Sequence, residues 1–184
     1  MKLFKKLAAV ALAAVLALSM VGCGGGGTPG GGATMNDTQA TALVALVNAD
    51  RETAGKKKLD RSAEVEAILA DYAKAMVDYM VDQNETTDAA GKAAVQEVMR
   101  KLSQLEIDGK KVDMNQSEMM PCGFVKGITV TPEMIKNTAM NIKRENATVN
   151  IWTPMVNADG SYLAVVWAEK SGATAVIAYN IVLK

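Results

Sequence analysis

Cys122 and three nearby methionines, Met114, Met119 and Met120, are the densest group of soft donors in the chain. Thioether and thiolate sulfurs select Cu(I), and a thiol of depressed pKa can act as a nucleophile. The sequence contains no histidine. That removes Ser-His-Asp and Cys-His catalysis, zinc sites built with imidazole and the usual pH switch. Pro121 before Cys122 and Gly123, Phe124 and Val125 after it suit a small buried hydrophobe better than a reactive thiol. The methionines, drawn from twelve in the chain, read as core filling. Carboxylates are no more suggestive. Glu64 and Glu66 fall on different sides of one helical pattern, Glu118 and Glu133 have no evident partner, and such charges normally form a solvated face. Lys56, Lys57 and Lys58 could touch phosphate or an anionic wall polymer, although cations at a helix C-terminus account for them. Trp152, Tyr162 and Trp167, expected on adjacent strands, would line a groove or pack as core. Trp167 and Val165 lie two apart and so share a face. These patterns yield no catalytic residue, no metal ligand and no cofactor.

The second cysteine, Cys23, has a different setting. Residues 1–6 carry Lys2, Lys5 and Lys6 and no acid, residues 7–21 are a short apolar run, and Gly22 precedes Cys23. The run is shorter than the roughly 18 residues of a membrane-spanning helix, and it has the charged, apolar and small-residue order of an export signal. Its ending, Met20, Val21, Gly22 and Cys23, resembles the lipobox of bacterial lipoproteins, with Met20 where leucine is usual. The resemblance implies that Cys23 is lipidated and becomes the new N-terminus. Residues 1–22 are then a signal peptide, 23–35 the lipidated cysteine and a Gly-rich tether, and 36–184 a single domain. Removing 22 of 184 residues leaves 162. Losing three lysines takes 20 basic residues to 17 against 20 acidic, a net charge of −3. No basic stripe points to nucleic acid, so membrane contact is expected from the acyl chains, on the outer side of a bacterial cell membrane. With Cys23 acylated, Cys122 has no partner for an intramolecular disulfide.

The elements that must position these residues are legible in outline. Asn36 or Asp37 can cap a first helix with Leu43, Leu46 and Val47 on one face, ending at Gly55. Ser62 can cap a second, with Val65, Ile68, Leu69, Tyr72, Met76, Tyr79 and Met80 at helical spacing. A third is expected from Asp88 to about Leu105, after a polar loop from Asp82 to Thr87. Asp108 and Gly109 signal a tight turn, and residues 127–130 suit a short strand. Thr131, Pro132 and Glu133 open a fourth helix as cap, first-turn proline and dipole-matched acid. Strands are expected at 148–153, 162–169 and 174–183, with turns at Asn157–Gly160 and Lys170–Gly172. Helices first and an antiparallel meander last define an α+β domain, with helices packed on a C-terminal antiparallel sheet.

Leu46, Asn48, Arg51 and Gly55, followed by Leu59, resemble the opening helix of the CAP superfamily, the SCP-like extracellular domain. Its bacterial members show Leu-x-Asn-x-x-Arg-x-x-x-Gly there. Ala70, Ala73 and Met76 are similar to the family's next helix. Gly127, the Pro132–Glu133 helix start and the stretch from Gly160 to Ala168 are similar to its later segments. The likeness spans Asn36 to Lys184 and implies an α-β-α sandwich. It also implies a cavity built from two histidines and two acids, sometimes holding a divalent metal. Here Tyr72 stands at the first histidine, Cys122 at the Glu of a Glu-Asn motif and Glu145 near the second histidine. The resemblance therefore implies a member without that metal constellation: an envelope-anchored, non-catalytic domain that binds a protein, peptidoglycan or lipid partner. The competing expectations are an envelope hydrolase using Cys122 and a structural lipoprotein of unrelated fold.

Overall fold

The computed structural model describes residues 32–125, 127–144 and 147–184. Its first elements are β1 (Thr34–Met35), α1 (Asp37–Thr53), β2 (Asp60–Arg61), α2 (Ala63–Val81) and α3 (Glu85–Gln104). A small hairpin of β3 (Glu106–Ile107) and β4 (Lys110–Lys111) follows, then β5 (Glu118–Phe124) and α4 (Pro132–Met140). A second hairpin, β6 (Ile142–Arg144) with β7 (Ala147–Val149), leads to α5 (Trp152–Asn157), β8 (Tyr162–Lys170) and β9 (Ala173–Ile181). The chain is α+β, as expected.

Helix ends follow the capping chemistry of the sequence. Asn36 Oδ1 accepts the Gln39 N–H at 3.1 Å, Ser62 Oγ accepts that of Val65, and Thr131 caps a helix that opens on Pro132. At the end of α1 the Lys56 N–H reaches the Arg51 carbonyl at 2.8 Å and the Gly55 N–H that of Glu52 at 3.0 Å. Gly55 has φ +72°. This is the Schellman arrangement, which requires a residue that tolerates the left-handed region. The third helix begins three residues before the expected Asp88. Asn84 and Thr87 form a reciprocal capping box, which turns the second half of the expected loop into the first turn of α3.

The main sheet runs β1-β8-β9-β5, all antiparallel, with β2 added in parallel to the start of β8. A two-residue turn at Ser171 and Gly172, φ +49° and +82°, joins β8 to β9 and pairs Lys170 with Ala173. Both residues positive in φ match the right-handed twist of the flanking strands. Residues 127–130 form no strand. The sheet's fourth strand is instead Glu118–Phe124, whose Met-Met-Pro-Cys-Gly-Phe run lacks an alternating pattern. Pro121 is tolerated because β5 sits at the end of the sheet order. The expected strand at 148–153 is also cut short: β7 stops at Val149, and Trp152 lies in α5. Asn150 Oδ1 accepts the Thr153 N–H at 2.9 Å, and Pro154 has no N–H to give a ladder.

Helices cover both faces of the sheet, so β8 and β9 are buried on both sides and read as nearly continuous apolar runs. One core gathers Val65, Leu69, Tyr72, Met76 and Leu102 of α2 and α3 against Val166, Ile177 and Ile181. The other gathers Leu43, Val47, Ile135 and Met155 of α1, α4 and α5 against Val165, Trp167 and Val176. Strand alternation decides which residue joins which core.

Candidate functional site

The two cavity positions among the described residues do not meet. Tyr72, on α2, is 3% exposed in the core between α2 and the sheet, whereas Cys122, on β5, is 2% exposed in the core on the opposite face. Burial raises the Tyr72 phenol and pushes the Cys122 thiol up to about 12. A thiol that stays protonated at neutral pH is a poor nucleophile and a poor metal ligand. Cys23 and Glu145 lie outside the described residues.

The sulfur cluster is divided in the same way. Met120 and Cys122 enter the core of α1, α4 and α5, while Met119 and Met114 pack against the core of α2 and α3. Met114 Sδ accepts the Tyr179 hydroxyl at 3.6 Å. One sheet thus separates donors that are consecutive in sequence. Among the described residues no three His, Cys, Asp or Glu side chains converge to hold a metal ion.

The aromatic trio is dispersed. Trp152 Nε1 donates to Asp50 at 2.8 Å and Trp167 Nε1 to Glu169 at 2.8 Å, both within the α1 core, while the Tyr162 hydroxyl donates to Asp108. Two of the three lysines in the run have paired ammonium groups. Lys56 pairs with Asp159 at 2.7 Å, Lys58 with Glu52 at 3.1 Å, and the Lys57 carbonyl accepts from Arg51.

The Asn48, Arg51 and Gly55 motif, by contrast, has a defined structural role. Asn48 exchanges two bonds with the backbone of Leu59, Nδ2 to its carbonyl and Oδ1 from its N–H, both 3.0 Å. Arg51, 2% exposed, sends Nε to the Lys57 carbonyl at 2.8 Å and Nη1 to Val156 and Ala158 at 2.6 and 2.9 Å. It supplies cationic donors to the last carbonyls of α5, where the helix dipole is negative. Burial lowers the Arg51 pKa, and the neighbouring Asp159 carboxylate opposes that shift.

Glu66 corrects a sequence expectation. It is not on a solvated face: its side chain is 16% exposed and binds Arg61 through two bonds, 2.7 and 3.0 Å. Arg61 also donates to Asp37 and to Thr41, each at 2.8 Å. The bond to Glu66 is the main reason that the Arg61 pKa is raised. Glu66 Oε1 further accepts the Val165 N–H at 3.1 Å, filling the interval on β8 between its partners β2 and β1. A groove of about 230 Å³ opens there, lined by Met35, Ala40, Ala67, Ala70 and Trp167 beside the ion pair. A second groove, about 410 Å³, lies at the β8–β9 turn, and a third, about 390 Å³, beside Glu118 and Asp159. Burial raises the Glu118 carboxyl. Sequence reasoning had no signal for the Glu66 site, since its partners lie in β2, α1 and β8.

Comparison with protein-family models, curated proteins and solved structures finds no match to this chain.

Proposed function

We propose that this chain is an envelope-anchored bacterial lipoprotein, held on the outer side of a cell membrane through acylated Cys23, with a non-catalytic CAP-like domain that binds a protein, cell-wall or lipid partner. The observation that carries the anchor is the order of charge, apolar run, Gly22 and Cys23, followed by glycine-rich sequence. Among the described residues no helix is long and apolar enough to cross a membrane, so attachment would rest on acyl chains, two of which give stable anchoring. The CAP-like reading is supported by the Asn48, Arg51 and Gly55 helix end and by helices on both faces of an antiparallel sheet. Burial of Tyr72 and Cys122 in separate cores weighs against chemistry at those positions.

Mass spectrometry of the mature N-terminus tests the anchor. Cleavage before Cys23 with an acyl mass on that residue is expected, and a Cys23→Ala variant should leave the membrane fraction. An unmodified Cys23, or a variant that remains membrane-bound, would overturn the reading.

A further inference from the structure

Resting on that anchored reading, we propose that one end of the domain, the end carrying the β8–β9 turn, docks on the lipid surface. Met35, Val81 and Ile128 would enter the interfacial layer of a zwitterionic bilayer. These three are the exposed large hydrophobics among the described residues, at 41%, 39% and 41%. Three independent contacts place them at the same end. Met35 pairs with Ala168, near the end of β8. Val81 follows Asp78 by about one helical turn, and Asp78 binds Lys170 at the β8–β9 turn at 2.6 Å. Ile128 lines the groove formed with Lys170, Ser171 and Gly172.

The chain from Cys23 arrives at this end too. Gly32 lines the same groove, and Thr34 pairs with Glu169. Nine residue steps from Cys23 to Gly32 span at most about 30 Å. A domain of about 150 residues has a radius of gyration near 15 Å, so acylated Cys23 keeps this end within about 30 Å of the bilayer. The far end, where Tyr162 meets Asp108, lies a full β8 strand away, about 27 Å. Among the described residues, the charges at this end favour neutral lipid. Lys170 is neutralised by Asp78, Glu169 accepts from Asn36 and Trp167, and Asp82 and Glu85 follow Val81.

The test uses the acylated full-length mature chain, with Cys122→Ala and an environment-sensitive fluorophore on a cysteine at Met35, Ile128 or, as the distal control, Lys110. On phosphatidylcholine vesicles, labels at 35 and 128 should shift to the blue and be quenched by acyl-chain quenchers, and the label at 110 should not. Adding Val81→Asp should reduce the shift at 128 while the protein still floats with the vesicles. A chain that floats while the labels at 35, 128 and 110 stay alike overturns this proposal and leaves the anchor standing. A mature chain found unacylated removes both. A blue shift without vesicles that grows with protein concentration assigns the patch to a second copy of the chain and also overturns it.

Discussion

Arg51 Nη1 donates to the carbonyl oxygen of Val156 at 2.6 Å, tying the last turn of α1 to the last turn of α5 across 105 residues of sequence. The same nitrogen reaches Ala158, and Nε reaches Lys57. A family-like motif residue is therefore a clamp between elements, with its Nε and Nη1 engaged by backbone carbonyls. Arg51→Met removes all three bonds and strands buried acceptors, for an expected loss of about 2–4 kcal/mol. Arg51→Lys keeps the charge but not the planar fork, and should lose most of the same stability. Urea unfolding of both variants measures this. If Arg51→Lys matches the parent, charge near the α5 terminus suffices and the fork geometry is irrelevant.

The capping residues Asn36, Ser62 and Thr131, the Gly55 helix end and the Ser171–Gly172 turn were all legible in the sequence, because each acts on backbone within a few positions of itself. Strands β8 and β9 were legible for the same reason, through their apolar content and the turn between them. What escaped depends on distant residues. β5 exists because Glu118–Phe124 pairs residue by residue with Thr174–Asn180, and nothing in the Met-Met-Pro-Cys-Gly-Phe run announces that partner. Once β5 is known, the division of Met119 from Met120 follows from strand alternation alone. Glu66 looked solvated for a related reason, since Val165 lies 99 residues away.

Close backbone approach predicts two glycine substitutions of unequal effect. A Cβ on Gly160 would stand 1.8 Å from Asn180 Oδ1 and 2.9 Å from Leu59 Cδ1, whereas one on Gly123 would meet Met80 Sδ at 2.6 Å. Asn180 is fully buried and held by its bond to the Met155 carbonyl at 2.7 Å, so it cannot retreat freely. The thioether of Met80 is the mobile end of a side chain with three rotatable bonds. Gly160→Ala should therefore destabilise by about 2–3 kcal/mol and Gly123→Ala by about 1 kcal/mol. Asn180→Ala in the Gly160→Ala background should recover part of the loss, giving a non-additive cycle. Additive effects in that cycle would refute the clash.

Cys122 predicts an alkaline weakness. Its folded pKa is raised to about 12 by burial, above that of an unfolded thiol near 8.5. Between those values the native state keeps a proton that the unfolded chain has released. Stability from this group is thus complete below the unfolded pKa and lost as pH rises toward 12. Tyr179, also pushed up to about 12 by burial, adds the same sign from pH 10 upward. Between pH 9 and 10, unfolding free energy should fall by about 1 kcal/mol per unit from Cys122, and Cys122→Val should flatten that slope. Native protein should alkylate slowly at pH 8 and quickly in denaturant. Rapid native alkylation would mean an accessible thiolate and would restore the hydrolase reading.

Glu66 performs two tasks that substitution can separate. Its carboxylate pairs with Arg61 and accepts the Val165 N–H on the side of β8 that faces away from β9, between β2 and β1. Glu66→Gln retains an oxygen of similar reach for Val165 but gives up the bidentate charge pair, which should lower stability by about 1 kcal/mol, given partial solvent screening of Arg61. Glu66→Ala also leaves a buried N–H without an acceptor, and should lose about 1–3 kcal/mol more. Salt distinguishes the two contributions. The loss in Glu66→Gln should shrink as ionic strength screens the pair, while the additional loss in Glu66→Ala should persist at 1 M salt. Equal losses in the two variants would mean that the Val165 bond adds nothing, and that β8 tolerates its open interval without help from α2.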